Sequence, residues 1–475
     1  MSQDALAIDL GASGGRHILG RMEEGRITLT EAYRFPNEMV WRDGRRCWDM
    51  DALFAHVIAG MRACAERGRM PATVGIDTWG VDYTLIDDKG TPLGQSVAYR
   101  DTRTDGMPDR LDAVLPPRRL YARTGIARQS YNTVYQLMAE GEAHPGRLSE
   151  PARLLFTPCY LNFLLTGIPR NEHTIASTSG LMNARSRVWD KEVLRAAAIP
   201  ERLMGGPPAE PGTILGPVLP AVERQVGYAC TVVMPASHDT ASAFLAAPLS
   251  GENAAVLSSG TWSLLGQELD APILTQAARR AGFTNESGYG GRTTLVRNLM
   301  GLWIMQSIRH EWGDRHSYEE LAALATKGRD YPHVFCASDE RFLAPRSMVD
   351  EIAAALREAG APLPSDEAKL MYCVHRSLAL CYREAVRNLV ALTGKPVDQI
   401  NVVGGGSQNA TLNQLTADAT GLPVCAGPVE ATALGNLIAQ WMATKEIGSL
   451  ESARRLIRDG VKLKVFHPQG SEGEL

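Results

Sequence analysis

An aspartate that follows an apolar segment is the first candidate for a catalytic residue. Asp239 lies in "MPASHDTASAFLA", after the strand-like run "YACTVVM" and before small residues with helical character. A carboxylate there can point into a cleft as a general base, or stabilise the helix dipole by roughly 0.3–1 kcal/mol. Position alone leaves both roles open. A hydrolase triad is rejected for Ser237, His238 and Asp239, because adjacent residues cannot usually form that relay.

Two glycine-rich turns have the same form. "LAIDLGASGGRHILGRM" and "AAVLSSGTWSLLGQEL" each read as strand, small-residue turn, strand. Aligning Gly11 with Gly260 places Asp9 against Ser258. The repeat indicates two similar α/β domains, each opening with a β-hairpin and divided near residue 243.

Such turns can hold a polyphosphate. Glycines let backbone N–H groups approach phosphate oxygens closely, because no Cβ intervenes. The hydroxyls of Ser13, Ser259 and Thr261 can add hydrogen bonds, and Asp9 can hold a hydrated Mg²⁺. Plain structural hairpins are the alternative.

A third glycine turn, "VVGGGSQNATLNQL", follows a strand and precedes a helix. It matches neither GxGxxG nor GxxxxGK[ST], which argues against a Rossmann or P-loop enzyme. A flat ligand such as adenine with its ribose suits Gly404, Gly405 and Gly406, although a tight structural turn is also possible.

The elements that must position these residues alternate in type. Three strands of a β-meander open the chain. A helix follows in "WDMDALFAHVIAGMRACAERG", capped by Asp49 or Asp51 and ended by Gly68. Next come the buried strand "TVGID" and a hairpin-like "VDYTLIDDKGTPLG".

The later segments are mainly helical. Residues 105–200 read as helices broken by prolines, and 207–220 as a loop or linker. Residues 370–394 read as one helix that stops at Gly394. After residue 440 we expect only helix and a short polar tail.

Composition limits the class of protein. The chain has 475 residues and a net charge of -4, which gives no electrostatic case for a nucleic-acid or anionic-membrane partner. Eight cysteines are scattered without a CxxC pair or zinc spacing. No apolar run approaches the roughly 18 residues of a membrane span, and "MSQDALAIDLG" lacks the features of a signal peptide. We therefore expect a cytoplasmic protein without a membrane partner.

Together, the motifs resemble those of the FGGY carbohydrate kinases, of the actin/Hsp70/sugar-kinase superfamily. "AIDLGASGGR" is similar to the first phosphate motif, "LSSGTWSLLG" to the second, "NVVGGGSQNATLNQL" to the adenosine motif, and "ASHDTASA" to the segment of the catalytic aspartate. The resemblance implies an α/β fold of two ribonuclease H-like domains flanking a catalytic cleft. Residues 1–243 would bind sugar and carry the base, and residues 244–475 would bind nucleotide.

The resemblance also implies roles for individual residues. Asp239 would be the catalytic base and Asp9 the Mg²⁺ residue. The implied sugar contacts are Trp79, Gly80, Asp82, His238 and Asn298. The implied nucleotide contacts are Ala12, Ser13, Gly14, Gly15, Arg16, Thr261, Gln306, Gly404 and Gly405. Many family members carry a hydroxyl residue where this chain has Ala12, which puts a side-chain phosphate contact there in doubt.

Seven stretches resemble the branch of the family that phosphorylates L-rhamnulose. They are "DLGASGGR", "GIDTWGVDY", "AYRDTRT", "SHDTASA", "SSGTWSLLG", "NLMGLW" and "GPVEATALGN". We expect transfer of phosphate from ATP to O1 of that ketose, with Mg²⁺. L-Fuculose or L-xylulose is an alternative substrate, and a nucleotide-driven binding protein of the same superfamily is the alternative from another class. No prediction of oligomeric state follows.

Overall fold

The structure is a computed structural model that describes residues 3–148, 152–343 and 345–469. It divides into two compact units. Unit 1 comprises Met1–Ala246, Leu269–Leu295 and Thr432–Gly460, and unit 2 comprises Ala247–Glu268, Val296–Ala431 and Val461–Leu475. The boundary expected at residues 243 and 244 stays a prediction.

The strands lie mainly at the start of each half of the chain. They are β1 Ala5–Gly11, β2 Gly14–Glu23, β3 Arg26–Pro36, β4 Val40–Arg42, β5 Arg45–Trp48, β6 Thr73–Thr78, β7 Tyr83–Ile86, β8 Ser96–Val97, β9 Arg153–Phe156, β10 Thr213–Pro217, β11 Thr231–Met234, β12 Ala254–Ser259, β13 Trp262–Leu269, β14 Phe283–Ser287, β15 Thr293–Met300, β16 Gln399–Val403, β17 Val424–Ala426 and β18 Lys464–Phe466.

The helices fill the segments between the strands. They are α1 Met50–Glu66, α2 Met107–Val114, α3 Pro117–Thr124, α4 Thr133–Ala143, α5 Thr157–Thr166, α6 His173–Ser177, α7 Lys191–Ala196, α8 Pro220–Val226, α9 Asp239–Leu245, α10 Gln276–Arg280, α11 Trp303–Glu311, α12 Tyr318–Lys327, α13 Met348–Glu358, α14 Glu367–Thr393, α15 Ala410–Thr420, α16 Ala431–Ala443 and α17 Leu450–Gly460.

The main sheet of unit 1 has six strands in the order β10-β11-β6-β1-β2-β3. Strands β1 to β3 form the predicted antiparallel meander, and β6 pairs parallel with β1. The parallel pair places Asp9 opposite Asp77. Six of the seven residues of β1 are buried, as expected for a central strand covered on both faces.

Unit 2 repeats this arrangement. Strands β12 and β13 form an antiparallel hairpin, and β16 pairs parallel with β12. Beyond β16 lie β17 and then β18. The second strand–turn–strand motif of the sequence is therefore confirmed as a hairpin beside a parallel strand.

The predicted caps of α1 are confirmed in outline. Asp49 is the N-cap and accepts a hydrogen bond from the backbone N–H of Ala52 at 3.0 Å. The helix ends at Glu66, two residues before Gly68 adopts a φ of +68°. The long predicted helix is also confirmed, as α14, with Gly394 in the left-handed conformation at its end.

Two predictions of secondary structure were wrong, and a third holds in part. In "VDYTLIDDKGTPLG" the hairpin-like turn forms, since Ile86 bridges to Pro92 and the N–H of Leu93 donates to the carbonyl of Leu85 at 2.8 Å, but β7 takes β9 as its ladder partner. The loop predicted for residues 207–220 contains β10, an edge strand that tolerates Pro217 because its outer side needs no ladder donor. The end of the chain contains β18, which β17 pairs into the sheet of unit 2.

Neither a membrane helix nor a disulfide is found in residues 3–148, 152–343 and 345–469. No helix there is long and apolar enough to cross a membrane. All eight cysteines are free, and seven of them are buried.

Candidate active site

Asp239 is the first residue of α9, just past the carboxyl end of β11. Its Oδ1 accepts hydrogen bonds from the backbone N–H of Thr240 at 2.5 Å and from its hydroxyl at 3.1 Å. A third of the Asp239 side chain is exposed, so a ligand can reach it. The surrounding burial raises the pKa of its carboxyl, and the neighbouring His238 opposes this rise.

Three neighbouring strands carry a carboxylate at or beyond their carboxyl ends. They are β1 with Asp9, β6 with Asp77 and β11, which leads to Asp239. Burial raises the pKa of Asp77 well above its usual range, and Asp9 and Asp239 raise it further. The strand order of unit 1 therefore collects acidic groups that the sequence separates by some 70 and 160 positions.

Arg16 and Asn436 partner two of these acids. Arg16 on β2 donates a hydrogen bond from Nη2 to Oδ2 of Asp9 at 2.6 Å. Asn436 on α16 donates from Nδ2 to Oδ2 of Asp77 at 2.5 Å. Burial raises the pKa of Asp9, and Arg16 works in the opposite direction.

The acids fit a divalent cation. Oδ1 of Asp77 is buried and has no hydrogen-bond donor among the described residues. Carboxylate oxygens are the ligands that Mg²⁺ prefers, and it is usually held by one or two of them together with water and phosphate. In the part of the chain that the structure describes, no group of three or more His, Cys, Asp and Glu side chains is placed to hold a metal by itself.

His238 lies between two carboxylates. Its Nε2 is 3.4 Å from Oδ1 of Asp239, and its Nδ1 is 3.1 Å from Oε2 of Glu286. Burial alone would lower the pKa of His238, but Glu286 and Asp239 outweigh burial and raise it to about 9. Sequence reasoning missed Glu286, because no motif contains it and it lies 48 positions after His238.

The carboxylate of Asp82 accepts hydrogen bonds from buried side chains. Its Oδ2 accepts the indole N–H of Trp48 at 2.6 Å and of Trp79 at 2.9 Å, and its Oδ1 accepts Nε2 of Gln136 at 3.0 Å. The two indole rings pack with centroids 4.3 Å apart. Asp82 therefore fixes the Trp79 ring, and Trp48 is a member of this cluster that the sequence did not suggest.

The turn between Trp79 and Asp82 is strained. Val81 has a φ of +67°, which is rare for a β-branched residue. Its N–H donates to Oγ1 of Thr178 at 3.1 Å, and its carbonyl accepts Oγ1 of Thr133 at 2.7 Å. A Cβ at Gly80 would lie only 3.2 Å from the Thr178 side chain. Strain held by surrounding bonds is typical of functional turns.

The first hairpin turn presents Ala12 and Ser13 at its tip. Side-chain Nδ2 of Asn37 donates to the carbonyl of Gly11 at 2.9 Å, and its backbone N–H donates to the carbonyl of Ser13 at 3.2 Å. Gly14 and Gly15 start β2. A Cβ at Gly15 would lie 2.4 Å from the Phe35 ring, so the close packing of β2 on β3 requires a glycine there.

The second hairpin turn is held by backbone groups. The N–H of Leu302 donates to the carbonyl of Gly260 at 2.9 Å, and that of Trp303 donates to the carbonyl of Thr261 at 3.1 Å. A Cβ at Gly301 would lie 2.6–2.7 Å from backbone atoms of this turn, so Gly301 permits the contact. The other predicted residues of this region are Gln306, half-buried on α11, and Asn298, exposed on β15.

The third glycine turn packs against the second hairpin. Gly404 has a φ of +82°, and a Cβ there would lie 3.0 Å from the carbonyl oxygen of Ser259. A Cβ at Gly406 would lie 1.9 Å from Oγ of Ser259. Gly405 is exposed between them. The structure thus brings Thr261, Gly404 and Gly405 into one region of unit 2.

Two family models match the chain. The N-terminal domain of the FGGY family of carbohydrate kinases matches residues 5–246, and its C-terminal domain matches residues 255–444. The chain belongs to the FGGY family of carbohydrate kinases. It is therefore a carbohydrate kinase that acts on a sugar with ATP as co-substrate, as members of the family do.

Curated FGGY relatives are similar over nearly the whole chain. The rhamnulokinase of Halalkalibacterium halodurans is 41% identical over 462 residues, which is 97% of this chain and 98% of the relative. The rhamnulokinase of Bacteroides thetaiotaomicron is 40% identical over 470 residues, which is 99% of this chain and 96% of the relative.

Solved FGGY structures share the fold. The gluconate kinase of Lactobacillus acidophilus has a TM-score of 0.81 at 15% identity, and its xylulose kinase has a TM-score of 0.82 at 15% identity. These alignments cover 98–99% of this chain and 94% of each neighbour. The predicted fold class is confirmed as α/β with two sheet-containing units of the actin/Hsp70/sugar-kinase, ribonuclease H-like fold.

Proposed function

We propose that this kinase transfers the γ-phosphoryl group of ATP to O1 of L-rhamnulose, giving L-rhamnulose 1-phosphate and ADP in the breakdown of L-rhamnose. The position of Asp239 carries the proposal. It is a reachable carboxylate just past a strand end and next to small residues, and its charge raises the pKa of both Asp9 and Asp77. The choice of L-rhamnulose rests on relatives named rhamnulokinase that are 38–41% identical over 97–100% of this chain.

Asp239 is the proposed general base. As the O1–phosphorus bond forms and the bond from the γ-phosphorus to the bridging oxygen of ADP breaks, the carboxylate of Asp239 takes the proton of the O1 hydroxyl. The base must be ionised to accept that proton. The cationic ring of His238 at 3.4 Å favours the ionised form against the burial that disfavours it.

The sugar is proposed to bind at Trp79, Gly80, His238 and Asn298. The fixed indole of Trp79 offers an apolar face for the methyl group of a deoxysugar, and Gly80 lets the sugar approach the backbone. Asp82 was predicted to contact the sugar. Because its oxygens accept internal hydrogen bonds, we propose that Asp82 acts on the sugar by holding the ring of Trp79.

The nucleotide is proposed to bind at the three glycine turns. The first turn contributes Ala12, Ser13, Gly14, Gly15 and Arg16. The other contacts are Thr261, Gln306, Gly404 and Gly405. We propose that residues 1–243 carry the base and most of the sugar contacts, and that residues 244–475 carry the nucleotide contacts outside the first turn. Support comes from backbone turns that glycine keeps free of Cβ atoms, which suit phosphate oxygens.

Asp9 is proposed to hold Mg²⁺ through water, with Asp77 facing it from β6. A bound Mg²⁺ would neutralise charge on the ATP phosphates. Arg16, paired with Asp9 at 2.6 Å, orients that carboxylate and adds positive charge beside the turn. We propose that the kinase acts in the cytoplasm, because ATP is available there.

The test is ADP release by the purified chain with Mg-ATP and a panel of ketoses that includes L-rhamnulose, L-fuculose and L-xylulose. Wild type should turn over L-rhamnulose fastest. Asp239→Asn should lower kcat by at least about 10²-fold, since it removes the base. Asp109→Asn, which changes an exposed carboxylate on α2, is the matched control and should keep wild-type activity.

Each outcome of this test has a separate meaning. Turnover of another ketose keeps the mechanism and replaces the substrate. ADP release that ignores sugar would favour a nucleotide-driven binding protein. Full activity of Asp239→Asn on any ketose would show that Asp239 only stabilises the first turn of α9.

A further inference from the structure

Glu286 is a partly buried acid that no motif assigns. It lies on β14, and 11% of its side chain is exposed. Its Oε2 is 3.1 Å from Nδ1 of His238, whose Nε2 is 3.4 Å from Oδ1 of Asp239. The imidazole therefore lies between the proposed base and a second carboxylate. The contact with Glu286 is an ion pair rather than a linear hydrogen bond, since Nδ1 has no well-aligned acceptor.

The short helix α6 fixes both partners. At its start, Oγ1 of Thr174 accepts the backbone N–H of His238 at 3.1 Å. At its end, Oγ of Ser177 accepts the backbone N–H of Ser287, next to Glu286, at 2.9 Å. The distance between Glu286 and His238 is thus set by two backbone anchors on one helix.

Glu172 supports the same arrangement. As N-cap of α6 it accepts the backbone N–H groups of Thr174 at 2.8 Å and Ile175 at 3.1 Å. Its Oε2 also lies 3.3 Å from the backbone N of Ser237, which donates to it. Glu172 therefore ties α6 to the segment that carries His238.

Three acidic groups raise the pKa of the imidazole of His238. They are Asp239 on α9, Glu286 on β14 and Glu172 at the start of α6, and each favours the protonated ring. Thr78, which bridges to His238 from β6, is uncharged. A cationic ring beside Asp239 stabilises the ionised carboxylate that a general base requires.

Resting on the proposed function, we propose that Glu286 is a positioning residue of the phosphoryl transfer. It holds the His238 ring charged, with Nε2 towards Asp239, so that Asp239 stays ionised at neutral pH. Glu286 touches neither ATP nor the reacting oxygen in this proposal and acts through His238. Its own charge also raises the pKa of Asp239, but the opposite effect of the His238 ring on that pKa is larger.

The first test compares Glu286→Gln with wild type across pH, using Mg-ATP and the ketose that wild type accepts. Glutamine keeps the size and removes the charge. We expect kcat at pH 7 to fall about 10-fold, with little change in the KM for ATP. In wild type the charged ring of His238 lowers the pKa of Asp239 and so keeps the acid limb of kcat at low pH. In Glu286→Gln this acid limb should move to higher pH.

Two variants serve as controls. Glu286→Asp keeps the charge and should recover part of the lost kcat and of the position of the acid limb. Glu210→Gln removes an exposed carboxylate of unit 1 that pairs with Arg187, and should leave the pH profile unchanged. A pH profile of Glu286→Gln that coincides with that of wild type after scaling would overturn the proposal, because a purely structural role would not move the limb.

A second measurement does not depend on activity. The ring nitrogens of histidine labelled with ¹⁵N report the charge of each imidazole by nuclear magnetic resonance, and His238→Gln assigns the signal of His238. We expect a charged ring at pH 8 in wild type, and a neutral ring there overturns the proposal even if Glu286→Gln fails to fold. If the proposed function itself is wrong, wild type turns over none of the ketoses, and this result is distinct from the charge of the His238 ring.

Discussion

The two hairpins of the repeated motif share a topology and differ in chemistry. In both, an antiparallel hairpin lies beside a parallel strand, β6 in unit 1 and β16 in unit 2. In the first, Asp9 is in register with Arg16 and Asp77. In the second, the aligned residue Ser258 is in register with Leu264 and Val403. The same backbone thus carries charges in one copy and neutral groups in the other.

The interactions that hold the two hairpin turns in place also differ. Side chains of Arg16 and Asn37 hold the first hairpin. Backbone N–H groups of Leu302 and Trp303 hold the second, where Gly301 leaves no space for a Cβ. The comparison teaches that a duplicated fold can place charged side chains in one copy, while the other offers a neutral surface of amides and hydroxyls.

The largest expected effect comes from removing the charge of the first hairpin. Asp9→Asn should lower kcat by about 10²–10³-fold, because it weakens the proposed hold on the Mg²⁺ that would neutralise charge on the phosphates. Ser258→Ala, the aligned change in the second hairpin, should cost less than about 10-fold, since a hydroxyl contributes at most one neutral hydrogen bond. Steady-state kinetics with varied Mg²⁺ measure both.

Magnesium dependence sharpens this contrast. Asp9→Asn should require more Mg²⁺ for half-maximal rate, and Ser258→Ala should keep the wild-type requirement. Equal losses in the two variants would mean that the copies do not divide the chemistry as the comparison suggests.

Local signals made much of this molecule predictable. Glycine turns between apolar runs predicted both hairpins, and Asp49 with Gly68 predicted the limits of α1. These features depend on residues within a few positions of one another. The register of β1 with β6, which brings Asp9 opposite Asp77, follows from strand order and could not be predicted from spacing.

Long-range partners account for the failures. Strand β7 pairs with β9, some 70 positions later, although a nearer partner was predicted. Trp48 and Trp79 pack together where Asp82 accepts both indole N–H groups. Glu286 reaches His238 through anchors on α6. In each case tertiary packing determines the partner, and the local sequence pattern does not predict it.

A smaller effect is expected from a Cβ beside the second hairpin. In Gly301→Ala the new atom would lie 2.6–2.7 Å from the backbone of Gly260, Trp262 and Ser263, so the turn must shift. We expect the KM for ATP to rise about 10-fold or more, because small displacements of positioning groups are costly. Gly251→Ala, where a Cβ meets open space, is the control. An unchanged KM for ATP in Gly301→Ala would separate this turn from nucleotide binding.

The smallest effect tests the neutral character of the second hairpin. The buried hydroxyl of Tyr382 lies 2.8 Å from Oγ of Ser263, and burial raises the pKa of Tyr382, so the pair is uncharged between about pH 6 and 9. Tyr382→Phe should lower the free energy of unfolding by about 1 kcal/mol, equally at both pH values. Tyr318→Phe, at an exposed position on α12, should change it by less than about 0.5 kcal/mol. Chemical denaturation at pH 6 and pH 9 measures the free energy of unfolding of each variant. A loss of stability in Tyr382→Phe that differs between the two pH values would mean that a charged group, and not a neutral pair of hydroxyls, supports the second hairpin.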